Sequence, residues 1–408
     1  MNVVIVNDYD YVQGGASKIA IESANLLASS GCRVIFFCGV SDQGRSDLKG
    51  VEVVVAADVD FLSNPSKLKG AAQGIFGFTV KDRMARLLAR LDKRNTVVHF
   101  HGWTKALSSS VFDAVFQAGF RSVLTLHDFF VACPNGGFYN YQNREICEKK
   151  SLSLACLMEN CDSRSYTFKL YRSARLLVQN SVVGVNSKVD AYLYISKFSH
   201  RLIAPYLAGR NSLVEYLPNP ISMEKPAGRV RVEENDFFLY VGRLSKEKGV
   251  EVFCEATRRA GKRAIVVGDG ELLGELKARF GGADSCIKFV GWKQPHEVAD
   301  YIRNARCFVF PSLWYETFGL TVCEALAQGV PCLVSSDTAA IDFIDGKNGL
   351  VFPRNDVSAL ANAMIEIDSN ENLGQMSEQA FGAYWRAPFS SARYEQRLLD
   401  LYSRLLGS

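Results

Sequence analysis

Short apolar runs rich in Val and Ile recur along the chain, separated by turns and by stretches with helical apolar spacing such as Ser17–Ser29. In the first half they fall at Val3–Val6, Val34–Phe37, Val51–Val55, Val97–His101, Ser122–Leu126, Ala191–Ile195 and Leu213–Leu217. In the second they fall at Phe237–Val241, Arg263–Val267, Cys286–Val290, Cys307–Phe310 and Cys332–Ser335. Continuous apolar strands alternating with helices predict parallel sheets covered on both faces. Two such series predict an α/β protein of two Rossmann-like, doubly wound domains. The first is expected over 1–218. The second is expected over 219–384, entered through the Pro-containing linker Leu217–Asp236. A C-terminal helix over 385–408, apolar at Tyr394, Leu398, Leu401 and Leu405, follows a break at Pro388 and is assigned to the first domain. Ligands of open parallel sheets bind beyond the strands' carboxyl ends, so two such domains facing each other predict a cleft with its chemistry on those loops.

Length agrees, since 408 residues exceed a typical single core. No run approaches the roughly 18 apolar residues of a spanning helix. The start, MNVVIVNDYD, reads as a strand rather than a signal peptide. Of eleven cysteines, Cys32, Cys38, Cys254, Cys286, Cys307, Cys323 and Cys332 lie among apolar residues, as reduced thiols in a cytoplasmic protein would. Residues 1–218 carry 25 Lys and Arg against 18 Asp and Glu, whereas the remainder carries 22 against 25. A basic first half fits an anionic partner or surface, and a chance excess on solvated helices fits it as well.

Candidate chemistry clusters after the strands. Gly14 and Gly15 precede the first helix, where paired glycines let backbone N–H groups approach an anion; plain turns use such pairs too. "YVGRLSKEKG" places Arg243 and Lys248 five apart beyond a strand, which suits a diphosphate; the alternative is an exposed basic loop. Gly268, Gly270 and Gly274 resemble a dinucleotide fingerprint and raise an NAD(P)-dependent oxidoreductase as a competing reading. Against it, the next strand, Cys286–Val290, lacks the closing acid that would take a ribose hydroxyl.

"PSLWYETFGLTVCEALAQG" sets Glu316 and Glu324 with seven residues between them. Thr317-Phe318-Gly319 predicts a turn and Leu320–Gln328 a helix, so N–H groups from about Phe318 to Thr321 would face a ligand. Glu324 stands among apolar neighbours, and a half-buried acid usually has a partner. A capped helix with one surface acid is the structural alternative.

Together these segments resemble the E-x7-E pattern of family-4 retaining glycosyltransferases, which have the GT-B fold. The likeness covers essentially the whole chain: the Gly14-Gly15 loop, "TLHDFF", "GRLSKEKG", "VVGDGEL", "FVGW", the "PSLWYETFGLTVCEALAQGVPCLVS" stretch and "DGKNGLVFP". It implies a nucleotide-diphosphate-sugar donor on the second domain and a glycan or lipid-linked glycan acceptor on the first. Arg243 and Lys248 would grip the pyrophosphate, Glu316 the sugar hydroxyls and Glu324 the ribose. Backbone at Phe318, Gly319 and Leu320 would complete the phosphate site, with Gly15 beneath it and Gly14, Gly242 and Gly270 alongside. His127 would approach the reacting sugar, and Val290 to Trp292 would edge the nucleobase. No Asp-x-Asp stands at a strand end as a metal clamp, so no cofactor is expected for catalysis. A catalytically silent nucleotide-sugar-binding protein is the remaining alternative, and nucleic acid is not among the expected partners.

Two features fall outside that pattern. Cys133, Cys147, Cys156 and Cys161 lie in one polar segment, which suggests either a structural zinc site or free thiols. Thr79–Asn95 predicts a basic amphipathic helix that either covers the first sheet or docks on an anionic membrane, the latter fitting a peripheral protein at the inner membrane face.

Overall fold

The computed structural model describes residues 1–209, 212–369 and 371–407. Strands β1 (Asn2–Tyr9), β2 (Arg33–Val40), β3 (Glu52–Val55), β4 (Thr96–Phe100) and β5 (Arg121–Leu126) open the chain. A two-residue hairpin follows, β6 (Tyr139–Asn140) with β7 (Glu145–Ile146), and then β8 (Ala191–Tyr194) and β9 (Leu213–Tyr216). The second series comprises β10 (Phe237–Val241), β11 (Arg263–Val267), β12 (Ile287–Gly291), β13 (Cys307–Phe310), β14 (Cys332–Ser335) and β15 (Gly349–Phe352).

Two compact units result: Met1–Phe138 with Glu148–Pro220 and Ser391–Ser408, and Tyr139–Cys147 with Ile221–Ser390. Each holds one wholly parallel sheet, ordered β3-β2-β1-β4-β5-β8-β9 in the first and β12-β11-β10-β13-β14-β15 in the second. Both orders reverse direction once, between β1 and β4 and between β10 and β13. Such switch points open the crevice in which ligands of these sheets bind.

The first core joins Val3 and Ile5 of β1 to Ile19, Ala24 and Leu27 of helix Gly15–Ser29. Tyr394, Leu398, Leu401, Tyr402 and Leu405 of the last helix complete it. That helix spans Ser391–Gly407 rather than beginning at 385, because residues through Arg386 belong to the preceding helix, Leu373–Arg386. Pro388 forces the interruption: it disfavours helical backbone at Ala387, which sits at φ −146° and ψ 66°.

The basic helix is also shorter than its pattern predicts, ending at Leu88. Asp92 accepts a hydrogen bond from the Arg94 N–H and starts a separate 3₁₀ turn, Lys93–Asn95. Val80, Met84, Leu87 and Leu88 are all buried, so the apolar stripe belongs to the core, while Phe78 at the helix start is exposed. Among the described residues, no helix is long and apolar enough to cross a membrane.

Candidate active site

The loops after β10 and β13 leave the two strands that flank the second sheet's reversal, and they are stitched together. The Leu313 N–H donates to the Glu247 carbonyl at 2.8 Å, and the Ser312 hydroxyl donates to the same oxygen at 3.4 Å. Gly249, at φ +68°, lies so close to Pro311 that a Cβ would stand 1.9 Å from its carbonyl oxygen. Only glycine combines that backbone with that approach. Two of the three fingerprint-like glycines serve the same packing, while Gly274 has open space around it. A Cβ on Gly268 would meet the Gly242 carbonyl at 1.9 Å, and one on Gly270 the Leu244 carbonyl at 2.5 Å. Gly242 and Gly270 therefore shape the loop that carries Arg243.

This stitching brings Lys248 and Glu316 together. The Lys248 Nζ donates to Glu316 Oε1 at 2.6 Å, and the same oxygen accepts from Ser312 Oγ at 2.8 Å and Trp314 Nε1 at 2.9 Å. The ammonium also lies 4.9 Å from the centre of the Trp314 ring. Side-chain exposure is only 25% for Lys248 and 13% for Glu316. Burial alone would raise the Glu316 pKa, but the Lys248 charge and the three donors outweigh it and hold the carboxyl below its usual value.

Arg243 pairs instead with the buried Glu247, which also accepts from Ser245 Oγ at 2.8 Å. The guanidinium stays 64% exposed while its carboxylate anchor is hidden. Glu247, Ser312 and Trp314 escaped the sequence reading. Their flanking of Lys248 and Glu316 was the available signal.

Phe318 is buried against Phe343 and Phe389 and anchors the turn. Gly319 follows at φ +110° and precedes helix Leu320–Gln328, whose Val322 and Cys323 N–H groups bond back to its carbonyl. The N–H groups of Leu320 and Thr321 precede any helical acceptor, as an anion site requires. Glu324 is half-buried one turn on, between buried Cys323 and Ala325. At the end of β12, Val290 is half-buried and Trp292 is 62% exposed.

In the first unit, Gly14 and Gly15 stand at the start of helix Gly15–Ser29, with open space around Gly14. His127 follows β5, and its Nε2 lies 2.9 Å from His101 Nδ1. His99, two residues before His101 on β4, bonds through its ring nitrogens to Tyr402 and Thr125. Burial pushes His99 and His127 down to about 3 and His101 well below its ordinary value, so all three are neutral at pH 7. Asp8, beyond the middle of β1, accepts N–H bonds from Lys105, Ala106 and Leu107. His101 and Asp8 were also missed, although the i, i+2 spacing of His99 and His101 marks one face of a strand.

The four cysteines for which zinc or free thiols were the two readings do not gather as one metal-binding group. Among the described residues no group of three or more His, Cys, Asp or Glu is arranged to hold a metal ion. Cys133, Cys156 and Cys161 are buried rather than looped into solvent, and an ammonium faces them, with Lys169 Nζ 3.2 Å from Cys156 Sγ. Asn135 Nδ2 lies 3.1 Å from Cys161 Sγ. Cys147 follows the hairpin strand β7, in the other unit.

Two parallel sheets, each with one reversal, define a doubly wound α/β architecture of the kind that binds ligands at its switch points, and a cation–carboxylate cluster lies at the second reversal. Residues 235–370 match the family model "Glycosyl transferases group 1". The amylovoran biosynthesis glycosyltransferase AmsK of Erwinia amylovora is 30% identical over 307 residues, covering 71% of this chain and 73% of that one. The chain belongs to the group 1 glycosyltransferases. It is also 26% identical over 212 residues to the Escherichia coli UDP-Gal:alpha-D-GlcNAc-diphosphoundecaprenol alpha-1,3-galactosyltransferase, an alignment covering 46% of this chain and about half, 54%, of that relative. Sucrose-phosphate synthase from Thermosynechococcus elongatus superposes with a TM-score of 0.71 at 17% identity, over 100% of this chain and 99% of that one. The fold is GT-B.

Proposed function

We propose that this chain is a retaining hexosyltransferase that moves a sugar from a nucleotide diphosphate to a glycan carried on a lipid diphosphate, in the assembly of a surface polysaccharide. The Lys248–Glu316 pair at the second sheet's switch point carries the reading. Breaking a sugar–phosphate bond builds negative charge on the departing diphosphate, and fixed cations with helix-start N–H groups suit that charge. Lys248 and Arg243 serve this role, with the backbone of Phe318, Gly319 and Leu320. Glu316 takes hydroxyls of the transferred sugar, Glu324 the ribose diol, and Val290 and Trp292 flank the base. Gly14 and Gly15 admit the phosphates closely, and His127 hydrogen-bonds the sugar as a neutral imidazole.

Names of relatives that include UDP-Gal, a diphosphoundecaprenol-linked sugar and amylovoran biosynthesis support the substrate class. Two cations take the place of a metal clamp, so turnover is expected to survive chelation. A cytoplasmic protein working peripherally at the inner membrane face fits a lipid-linked acceptor. The test is a mass-spectrometric screen of nucleotide sugars for slow donor hydrolysis and, with a lipid-diphosphate acceptor, for transfer. Hydrolysis of one donor, retained in EDTA, is expected. No turnover with any nucleotide sugar would refute the proposal.

A further inference from the structure

The first sheet has its own switch point, and a cavity of about 450 Å³ opens beside it, within the usual range for small-ligand sites. Tyr9 ends β1, Thr104 and Lys105 follow β4, and Phe130 follows β5; all four line the cavity. The remaining wall combines two chemistries. Phe61, Leu62, Ala71 and Phe168 give an apolar surface. Lys67, Lys105, Arg164, Arg172 and Arg175 bring five cations against a single carboxylate, Asp60.

That carboxylate is already engaged, accepting from the Tyr9 hydroxyl and from the Leu62 and Ser63 N–H groups. Arg172 pairs with Asp162 at 3.2 Å. The other four cations have no carboxylate within ion-pair distance among the described residues. They rest on aromatic faces and carbonyls: Lys105 near Tyr9, Arg164 over Phe168, and Arg175 over Phe130 with Nη1 2.7 Å from the Thr104 carbonyl. Arg175 is buried, and although Asp8 and Asp128 act on it through space, no carboxylate among the described residues bonds its guanidinium fork, which leaves the fork open to a closer anion. Arginine forks match phosphate oxygens, and the aromatic wall suits a hydrocarbon chain.

We infer that this cavity receives the diphosphate and the first isoprene units of a lipid-linked acceptor, an inference that rests on the proposed transferase reading. The diphosphate would lie among Lys105, Arg164 and Arg175, and the isoprene units against Phe61, Phe130 and Phe168. Calorimetric titration of the full chain with geranyl diphosphate, inorganic diphosphate, geraniol and UDP tests it. Geranyl diphosphate is expected to bind at least tenfold tighter than inorganic diphosphate or geraniol. The double variant Lys105→Gln/Arg164→Gln, at two exposed positions, is expected to weaken it at least tenfold at an unchanged melting temperature, with UDP affinity as the comparison. Arg175→Lys, which keeps the buried charge but loses the fork, is expected to weaken it several-fold.

Equal affinity for inorganic and geranyl diphosphate would overturn the inference. Indifference of geranyl diphosphate binding to the double variant would also overturn it. Donor hydrolysis by the same wild-type preparation is scored separately. A protein that hydrolyses donor but ignores geranyl diphosphate refutes the cavity assignment alone, and one that binds it without touching any donor refutes the transferase reading.

Discussion

Replacing Lys248 by Met removes an ammonium 2.6 Å from Glu316 and leaves a largely buried carboxylate with two neutral donors, Ser312 and Trp314. A charged hydrogen bond contributes about 1.5–3 kcal/mol, and the contact with the Trp314 ring adds about 0.5–1 kcal/mol. The single variant should therefore lose about 2–4 kcal/mol at pH 7. The sign of its pH dependence follows from Glu316. In the wild type its carboxyl is held below the ordinary value, so its contribution is present above the unfolded pKa and fades as pH falls through the folded one. Without Lys248 the burial that opposes ionisation prevails, the Glu316 pKa rises, and the deficit should shrink as pH is lowered towards that raised value. Urea denaturation of wild type, Lys248→Met and Lys248→Met/Glu316→Gln at pH 7.5, 6.5 and 5.5 measures this directly. The double variant, which buries no unpaired charge, should recover most of the stability yet hydrolyse donor at least tenfold more slowly than wild type. A single-variant deficit that stays constant with pH, or a double variant no more stable than the single, would refute the account of the pair.

Gly249→Ala should cost about 2 kcal/mol or more, because it adds a clash with Pro311 to a left-handed backbone; Gly261→Ala, at φ +64° with no atom within 4 Å, should cost only about 1 kcal/mol, and equal losses in denaturation would contradict the packing argument. His101→Ala removes the ring that sits 2.9 Å from His127 and should lower kcat about two- to tenfold with little change in donor KM, since a positioning hydrogen bond is worth about 0.5–1.5 kcal/mol; a purely structural role would show instead as a lowered melting temperature with kcat retained. Burial raises the Asp128 pKa to about 6, so ionisation works against the fold as pH climbs from about 4 to 6. Asp128→Asn should match wild-type stability near pH 4 and exceed it by about 1–3 kcal/mol above pH 7, provided the acceptor for the Phe130 N–H is kept; parallel stability–pH curves would count against it.

The strands were legible because parallel sheets covered on both faces need continuous apolar runs, which is what Val3–Val6 and Phe237–Val241 present. The turn before Leu320 was legible from Thr317-Phe318-Gly319, and the observed helix keeps the expected limits, Leu320–Gln328. Stops set by single side chains were not legible. The apolar stripe after Phe78 runs on through Leu91, while the helix ends earlier and Asp92 caps a new turn. The hairpin β6–β7 has two residues per strand, too few to show alternation. Partnerships across the chain were hidden for another reason. Lys169 lies on helix Tyr166–Leu177, outside the cysteine segment, and its ammonium makes a buried cluster of what reads as a polar loop. Lys248 and Glu316 each stand out in the sequence as candidates, but their direct pairing, across 68 positions, does not.

That pairing bears on what the proposed site offers a ligand. Lys248 is matched by Glu316 and Arg243 by Glu247, so each cation predicted to grip a diphosphate already has its own carboxylate. On the proposed reading, an arriving diphosphate would meet two paired cations rather than two free charges. The pairings differ in how readily they yield. Arg243 keeps a largely exposed guanidinium with donors to spare, and so can hold Glu247 and an anion together. Lys248 is more enclosed, and its short bond to Glu316 competes directly with a phosphate oxygen. A bound sugar whose hydroxyls donate to Glu316 would satisfy the carboxylate and release the ammonium towards the phosphate. Sugar and diphosphate would then each favour the other's binding. If the proposed donor site is right, discrimination for an intact nucleotide sugar over free nucleotide would be built into one ion pair.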